Sequence, residues 1–151
     1  MPISITRAST TDLAELVPLF SGYLDFYRRP APAAAIHEFL EARLRQEQSV
    51  IFLARLGGRA VGFTQLYPAF ASLSLQPNWI LNDLFVVPEA RGTGAAEALM
   101  EAARGLATDT GACEIFLQTA RDNEVAQKLY RRLGYVRDDD FFVYSLNLTR
   151  A

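Results

Sequence analysis

Leu81-Asn82-Asp83-Leu84-Phe85-Val86-Val87-Pro88-Glu89-Ala90-Arg91-Gly92-Thr93-Gly94-Ala95-Ala96 reads as an apolar strand, a turn closed by Pro88, and an Arg-Gly-x-Gly-x-Ala loop that opens directly into a helix. The first turn of a helix has no internal acceptors for its N–H groups, so several donors of such a loop are left facing outward. Glycine at positions 92 and 94 lets an anion approach the backbone closely. The helix dipole adds to those donors, and the combination favours a phosphate. The segment therefore reads as a grip for the pyrophosphate of a cofactor.

The 151-residue chain has the size of one domain, with 50% apolar and 21% charged residues, the proportions of an ordinary globular chain. A net charge of −2 supplies no basic field for holding nucleic acid. A single cysteine, Cys113, excludes an internal disulfide and a cysteine-based zinc site. Its apolar surroundings make a buried, inert thiol the expectation. Met1 to Thr6 lacks a basic stretch followed by an apolar one, and no apolar run approaches the ~18 residues of a membrane span. The expectation is a soluble, cytoplasmic protein without nucleic-acid, membrane or metal partners.

Outward from the loop, the periodicity gives an element order. Ile3 to Ala8 alternates as a strand, and Ser9 with Asp12 matches a capping box. Leu13, Leu16, Val17, Phe20, Leu24 and Tyr27 mark one face of a helix that Pro18 should kink or restart. A second helix runs from Ala33 to about Gln46. Strands at Ser49 to Leu56 and Arg59 to Tyr67 flank a two-residue Gly57-Gly58 hairpin turn. Pro68 to Pro77 reads as a less regular connection, and Trp79 to Val87 as a central strand. A helix with a small, smooth face follows from Gly92 to about Thr108, then a strand from Cys113 to Thr119. Asp122 or Asn123 caps a helix through Leu133 that Gly134 stops. A solvated turn, Asp138 to Asp140, precedes a final alternating strand, Phe141 to Leu148. The fold class is mixed α/β, one domain over residues 1–151, in the order β-α-α-β-β-β-α-β-α-β. Only two strand–helix–strand crossovers are present, too few for a doubly wound nucleotide-binding sheet.

Two owners of glycine loops fail on the residues. A triphosphatase loop needs Gly-Lys-Ser/Thr where this chain has Gly94-Ala95-Ala96, and a dinucleotide fingerprint needs a third glycine where it has Glu97. The loop instead resembles the Arg/Gln-x-x-Gly-x-Gly/Ala signature of the GNAT superfamily of N-acetyltransferases. Asn123-Glu124-Val125-Ala126-Gln127-Lys128-Leu129-Tyr130-Arg131-Arg132-Leu133-Gly134-Tyr135 resembles that superfamily's second motif, Asn-x-x-Ala-x-x-Leu-Tyr-x-x-x-Gly-Phe/Tyr. The element order resembles the family's from end to end: a mixed, mostly antiparallel sheet flanked by helices. Tyr23 to Tyr27 and Trp79 to Val86 also resemble the small histone/polyamine branch, related to spermidine/spermine acetyltransferases.

The resemblance implies acetyl-CoA as donor, with coenzyme A as product, and an N-acetyltransferase that transfers the acetyl group directly to a primary amine through a tetrahedral intermediate. It implies that the pyrophosphate lies on Gly92, Thr93, Gly94, Ala95 and Ala96, with Arg91 supporting the loop or a phosphate. The pantetheine arm would lie beside Leu84, Phe85 and Val86 and pair with backbone groups, provided that the next strand splays away. Asn123, near Ala126, would bond the cofactor arm, or serve as a plain helix cap. Tyr130 matches the family's general acid, where a hydroxyl can protonate the departing sulfur. Asp83 or Glu38 would take the amine's proton, directly or through water. Tyr27, Asn82 and Gln118 are the acceptor-binding candidates, with Tyr23, Asp25 and Trp79 as further lining. Alternation puts Asn82 and Asp83 on opposite faces. Polyamine-acetylating relatives carry an acid at the position of Asn82, so the amide there weakens a polyamine acceptor. His37 reads as a surface residue. The acceptor is a small-molecule or protein amine. A homodimer through Phe141 to Tyr144 and core packing of those residues are equally open. The alternative from another class is a non-catalytic acyl-CoA-binding or regulatory module on the same fold.

Overall fold

The computed structural model describes residues 2–149. The chain falls into two compact units, residues 1–118 and 119–151.

The first unit is built on five strands in the order β1-β2-β3-β4-β5: β1 Ile3–Arg7, β2 Val50–Leu56, β3 Arg59–Ala71, β4 Gln76–Val86 and β5 Ile115–Leu117. The first four pair antiparallel and β4 pairs β5 parallel, giving the expected mixed, mostly antiparallel sheet. Gly57 and Gly58, at φ 60° and 83°, make the two-residue turn whose positive dihedrals match strand twist. Helices α1 (Leu13–Phe26) and α2 (Ala33–Arg45) cover one face, and α3 (Ala95–Asp109) the other. On the first face Leu16, Leu40, Ile51, Leu53 and Phe63 are fully buried, each contributing about 1.5–3 kcal/mol from area removed from water. The Ser9–Asp12 capping box forms and starts a short 3-10 turn, Thr10–Asp12, that runs into α1. Pro18 sits inside a continuous α1.

Three expectations are corrected. Pro68 to Pro77 is not a loose connection: β3 continues to Ala71 and β4 begins at Gln76, joined by a 3-10 turn at Ser72–Ser74. Trp79 N–H donates to Glu114 O on the β5 side, so its partner Pro68 turns its own backbone groups away from β4. Pairing of β2 with β3 stops at Leu66; the missing N–H of Pro68 thus lies on an open edge, where proline is tolerated. Cys113 is exposed, because the ladder strand is only Ile115–Leu117 and Cys113 lies outside it.

The second unit contains α4, Glu124–Arg132. The expected final strand is the third correction: Phe141 to Leu148 forms no ladder, and Phe142, Tyr144, Leu146 and Leu148 are all more than four-fifths exposed. Alternation marks which residues would share a face, but a strand exists only where a neighbour takes its backbone bonds.

Candidate active site

β4 changes face in the middle. Gln65 is opposite Asp83 and Leu66 is opposite Leu81, so Asn82 is an extra, unopposed residue: a β-bulge. Before it, odd-numbered side chains face α3, since Trp79 Nε1 donates to Thr110 Oγ1 at the end of that helix (2.9 Å). After it, odd-numbered Phe85 packs in the α1/α2 core. The bulge carries Asp83 to the α1/α2 face as well. It also overturns the expected separation of Asn82 from Asp83, because the Asn82 Nδ2 donates to Asp83 Oδ1 at 3.0 Å.

Asp83 is 4% exposed. Gln65 Nε2 donates to its Oδ2 at 2.6 Å, and Ser49 Oγ donates to Gln65 Oε1 at 2.8 Å. Thr64 Oγ1 holds the Asp83 backbone carbonyl at 2.8 Å. Among the described residues no Lys, Arg or His side chain comes within ion-pair distance of Asp83. A buried carboxylate held by amides and facing no cation among the described residues is costly for a fold, which makes Asp83 a candidate for chemistry. Glu38 and His37, by contrast, are exposed on α2.

Phenols surround this carboxylate. Tyr23 lies edge-on to Tyr27 at 5.1 Å and to Phe63 at 5.8 Å, and its hydroxyl donates to Asn82 O at 3.4 Å. Burial, reinforced by the Asp83 charge, pushes the Tyr23 hydroxyl well above the usual tyrosine range. Burial and then Asp83 raise Tyr27. Tyr67 is pushed up to about 12 by burial, with Asp83 adding and Arg43 opposing. All three remain O–H groups at neutral pH. Gln118 follows the last rung of the β4–β5 ladder, Leu81 with Leu117, and is exposed.

That ladder has only three rungs, Trp79 with Ile115, Ile80 with Phe116 and Leu81 with Leu117. Among the described residues β4 runs on to Val86 with no further rung on its β5 side, as the expected splay requires. Val87 N–H donates toward β3 at Val61 O; by alternation Val86 and Leu84 turn their backbone groups to the open edge. Arg91 Nε donates to Val86 O at 3.3 Å, tying the glycine loop to that edge. Gly92 and Gly94 have φ of 78° and 89°, and a Cβ on either would meet nothing within 4 Å. Open ground therefore lies before the loop. Gly94 caps α3 without a side-chain bond to its first N–H groups. An uncapped N-terminus of a 15-residue helix, beside an open strand edge, fits a ligand with an anionic head and an amide-bearing arm.

In the second unit, Asn123 Oδ1 accepts from Ala126 N at 3.2 Å, so the helix cap forms. Tyr130 lies in the last turn of α4, half-buried, with its ring 6.0 Å from that of Tyr135.

Gln65 and Ser49 escaped the sequence reading. A signal existed in Val61-Gly62-Phe63-Thr64-Gln65-Leu66, where two polar residues interrupt an apolar strand, and both are fully buried.

The sequence profile described as Acetyltransferase (GNAT) family matches residues 16–135. An uncharacterized N-acetyltransferase of Bacillus subtilis, YhfO, is 44% identical over 97% of this chain and 98% of its own. The crystal structure of a probable acetyltransferase is 41% identical and superposes with a TM-score of 0.92 over 98% of this chain and 99% of its own. The aminoglycoside N-acetyltransferase AAC(6')-Iy, solved in complex with CoA, shares the fold at 23% identity, with a TM-score of 0.81 over 96% of this chain and 95% of its own. Family match, relatives and fold agree, and the chain belongs to the GNAT family of acetyltransferases, acting as an acetyl-CoA-dependent N-acetyltransferase.

Proposed function

We propose that this acetyltransferase acts on a primary amine carried by a small molecule or a protein, with Asp83 as the group that receives the amine's proton and Tyr130 as the general acid. The observation that carries the reading is the buried Asp83 carboxylate, which faces no cation among the described residues. An ammonium group is the countercharge such a site lacks, and the neutral phenols of Tyr23 and Tyr27 add hydroxyl oxygens that can accept its N–H bonds and aromatic faces that suit it. Asp83 also answers the missing acid at Asn82: the bulge brings the carboxylate next door to the amide. A polyamine acceptor draws less support, because the described acceptor-side residues offer one buried carboxylate where a polycation would profit from several.

When bound, acetyl-CoA supplies a thioester that an amine can attack. Gly92, Thr93, Gly94, Ala95 and Ala96 would hold its pyrophosphate by backbone N–H groups, and Leu84 and Val86 its arm at the open edge beside Phe85. Arg91 serves this set by fixing the loop to Val86. Tyr130 holds the proton to be delivered at its Oη, a role that rests on its place in the second motif.

Thiol release from acetyl-CoA across a panel of primary amines tests the reading, comparing wild type with Tyr130→Phe. Amine-dependent release is expected, with kcat in the variant reduced ~10²–10⁴-fold, the usual worth of a positioned acid. Release that depends on no amine of the panel contradicts the acceptor class, and unchanged turnover in the variant removes Tyr130 from the chemistry.

A further inference from the structure

Ser49, Gln65 and Asp83 form a buried polar row along the α1/α2 face of the sheet, from the start of β2 through β3 to β4. Their exposures are 6%, 0% and 4%. The direction of the row follows from its end. A carboxylate only accepts hydrogen bonds, so Gln65 must present Nε2 to Asp83 Oδ2, at 2.6 Å. Its Oε1 is thereby turned to Ser49, whose hydroxyl must donate, at 2.8 Å. A flipped amide would set oxygen against oxygen at the Asp83 end. Packing gives no reason for this arrangement, because Ile51, Leu53 and Phe63 around it are aliphatic or aromatic and fully buried. Leucine or methionine would fill the place of Gln65 without the cost of burying an amide.

We propose that Gln65 and Ser49 are positioning residues for acetyl transfer, which hold the Asp83 carboxylate in one orientation toward the acceptor amine. The inference rests on the reading of Asp83 as the acceptor-side carboxylate. Gln65 on Oδ2 and Asn82 on Oδ1 fix the plane of the carboxylate, and each oxygen keeps further acceptor capacity. Ser49 acts one step further out. Its hydroxyl holds the far end of the Gln65 amide, whose direction the Asp83 carboxylate sets, and removing it leaves that end unheld. Ser49 also lines a cavity of ≈ 450 Å³ with Arg7, Ser9, Thr10 and Arg45, which leaves room for a larger hydroxyl side chain at this position.

Steady-state kinetics on Gln65→Leu, Ser49→Ala, Ser49→Thr, Asp83→Asn and the Gln65→Leu/Asp83→Asn pair test the row, with acetyl-CoA affinity measured by calorimetry. Gln65→Leu is expected to lower kcat with the amine ~10–100-fold, as small misplacements of a reacting group do, and to leave the acetyl-CoA Kd within about twofold. Ser49→Ala should give a smaller loss, about 3–10-fold, and Ser49→Thr should restore most of it because only the hydroxyl matters. In the Asp83→Asn background Gln65→Leu should add little, since residues that act as a unit are not additive. A folded Gln65→Leu with wild-type kcat and KM overturns the proposal, as does a Ser49→Thr no better than Ser49→Ala. If Gln65→Leu fails to fold, the two Ser49 variants decide. If Asp83→Asn is inactive while Gln65→Leu and Ser49→Ala are fully active, the row fails and the reading of Asp83 stands. If Asp83→Asn keeps full activity, both fall.

Discussion

Replacing Asp83 by asparagine removes a charge without removing an atom, and its effects on folding and on catalysis should point in opposite directions. Asp83 is 4% exposed and accepts from Gln65 and Asn82 at 2.6 and 3.0 Å. An amide in its place keeps one acceptor and turns a donor toward one neighbour. Gln65 can answer by reversing its own amide, because the Ser49 hydroxyl accepts as readily as it donates. A donor left unsatisfied costs about 1–3 kcal/mol. Removal of a buried charge that no cation compensates returns a desolvation penalty of several kcal/mol. The melting temperature should therefore stay within a few degrees of wild type or rise. Catalysis has no such compensation. Loss of the proton acceptor is expected to lower kcat/KM ~10²–10⁴-fold, which at ~1.4 kcal/mol per decade is about 3–5 kcal/mol of transition-state stabilisation. Thiol release with an amine of the panel reads the first quantity and thermal unfolding of the same preparation reads the second. Wild-type kcat/KM would refute the catalytic assignment. A collapse of the melting temperature with activity lost in proportion would refute the argument that the carboxylate is held for chemistry at the expense of the fold.

Gly62→Ala should destabilise the enzyme by about 2 kcal/mol, lowering Tm by about 4–8 °C in calorimetry. A Cβ there would lie 2.8 Å from the Phe85 carbonyl and 3.0 Å from Val86 Cγ2, forcing β3 and β4 apart where the site needs them fixed. Gly94→Ala meets no neighbour but must hold φ at 89°, a strain of about 1 kcal/mol. Its methyl group would stand on the open ground before the loop, so the KM for acetyl-CoA should rise about tenfold, seen in initial rates, with a Tm loss of only about 2–4 °C. Alkaline stability follows from Tyr67, Tyr23 and Tyr27, all raised above the ordinary tyrosine value by burial first. The unfolded chain gives up these protons from pH ~10, before the folded one does, so it binds fewer protons there and stability falls as pH rises. Urea midpoints should be steady below pH 10 and decline toward pH 12, with a shallower decline in Tyr67→Phe.

What could be read from the sequence was local chemistry. The glycine loop, the Asn123 cap, the Ser9–Asp12 box and the Gly57-Gly58 turn are each written in adjacent residues, and each forms. What escaped depends on partners distant in sequence. Gln65 meets Asp83 because the β3–β4 register sets them opposite, and Ser49 reaches Gln65 diagonally from the start of β2. The extent of β5 is set by where it leaves β4, and no residue of Cys113 to Thr119 announces that. Phe141 to Leu148 has a strand's alternation and no ladder to join, while Cys113, in an apolar stretch, lies outside the short strand that would have covered it.

The bulge is the deepest of these gaps, and it explains why one strand can serve both halves of the site. A regular β4 would put Trp79, Leu81, Asp83 and Phe85 on a single face, and Asp83 would then share the α3 side with Trp79, away from Tyr23 and Gln65. With Asn82 inserted, the parity changes at the residue after the β5 ladder ends. Beyond that point the side chains of Asp83 and Phe85 turn to the α1/α2 face, while the backbone of Leu84 and Val86 faces the side on which the β5 ladder has ended. On the proposed reading, the carboxylate for the amine and the edge for the cofactor arm both follow directly on this one irregularity. Asn82 stands at that irregularity, where the family resemblance led one to look for an acid. Its own amide bonds Asp83, so the residue that breaks the alternation also helps to aim the carboxylate that the break delivers.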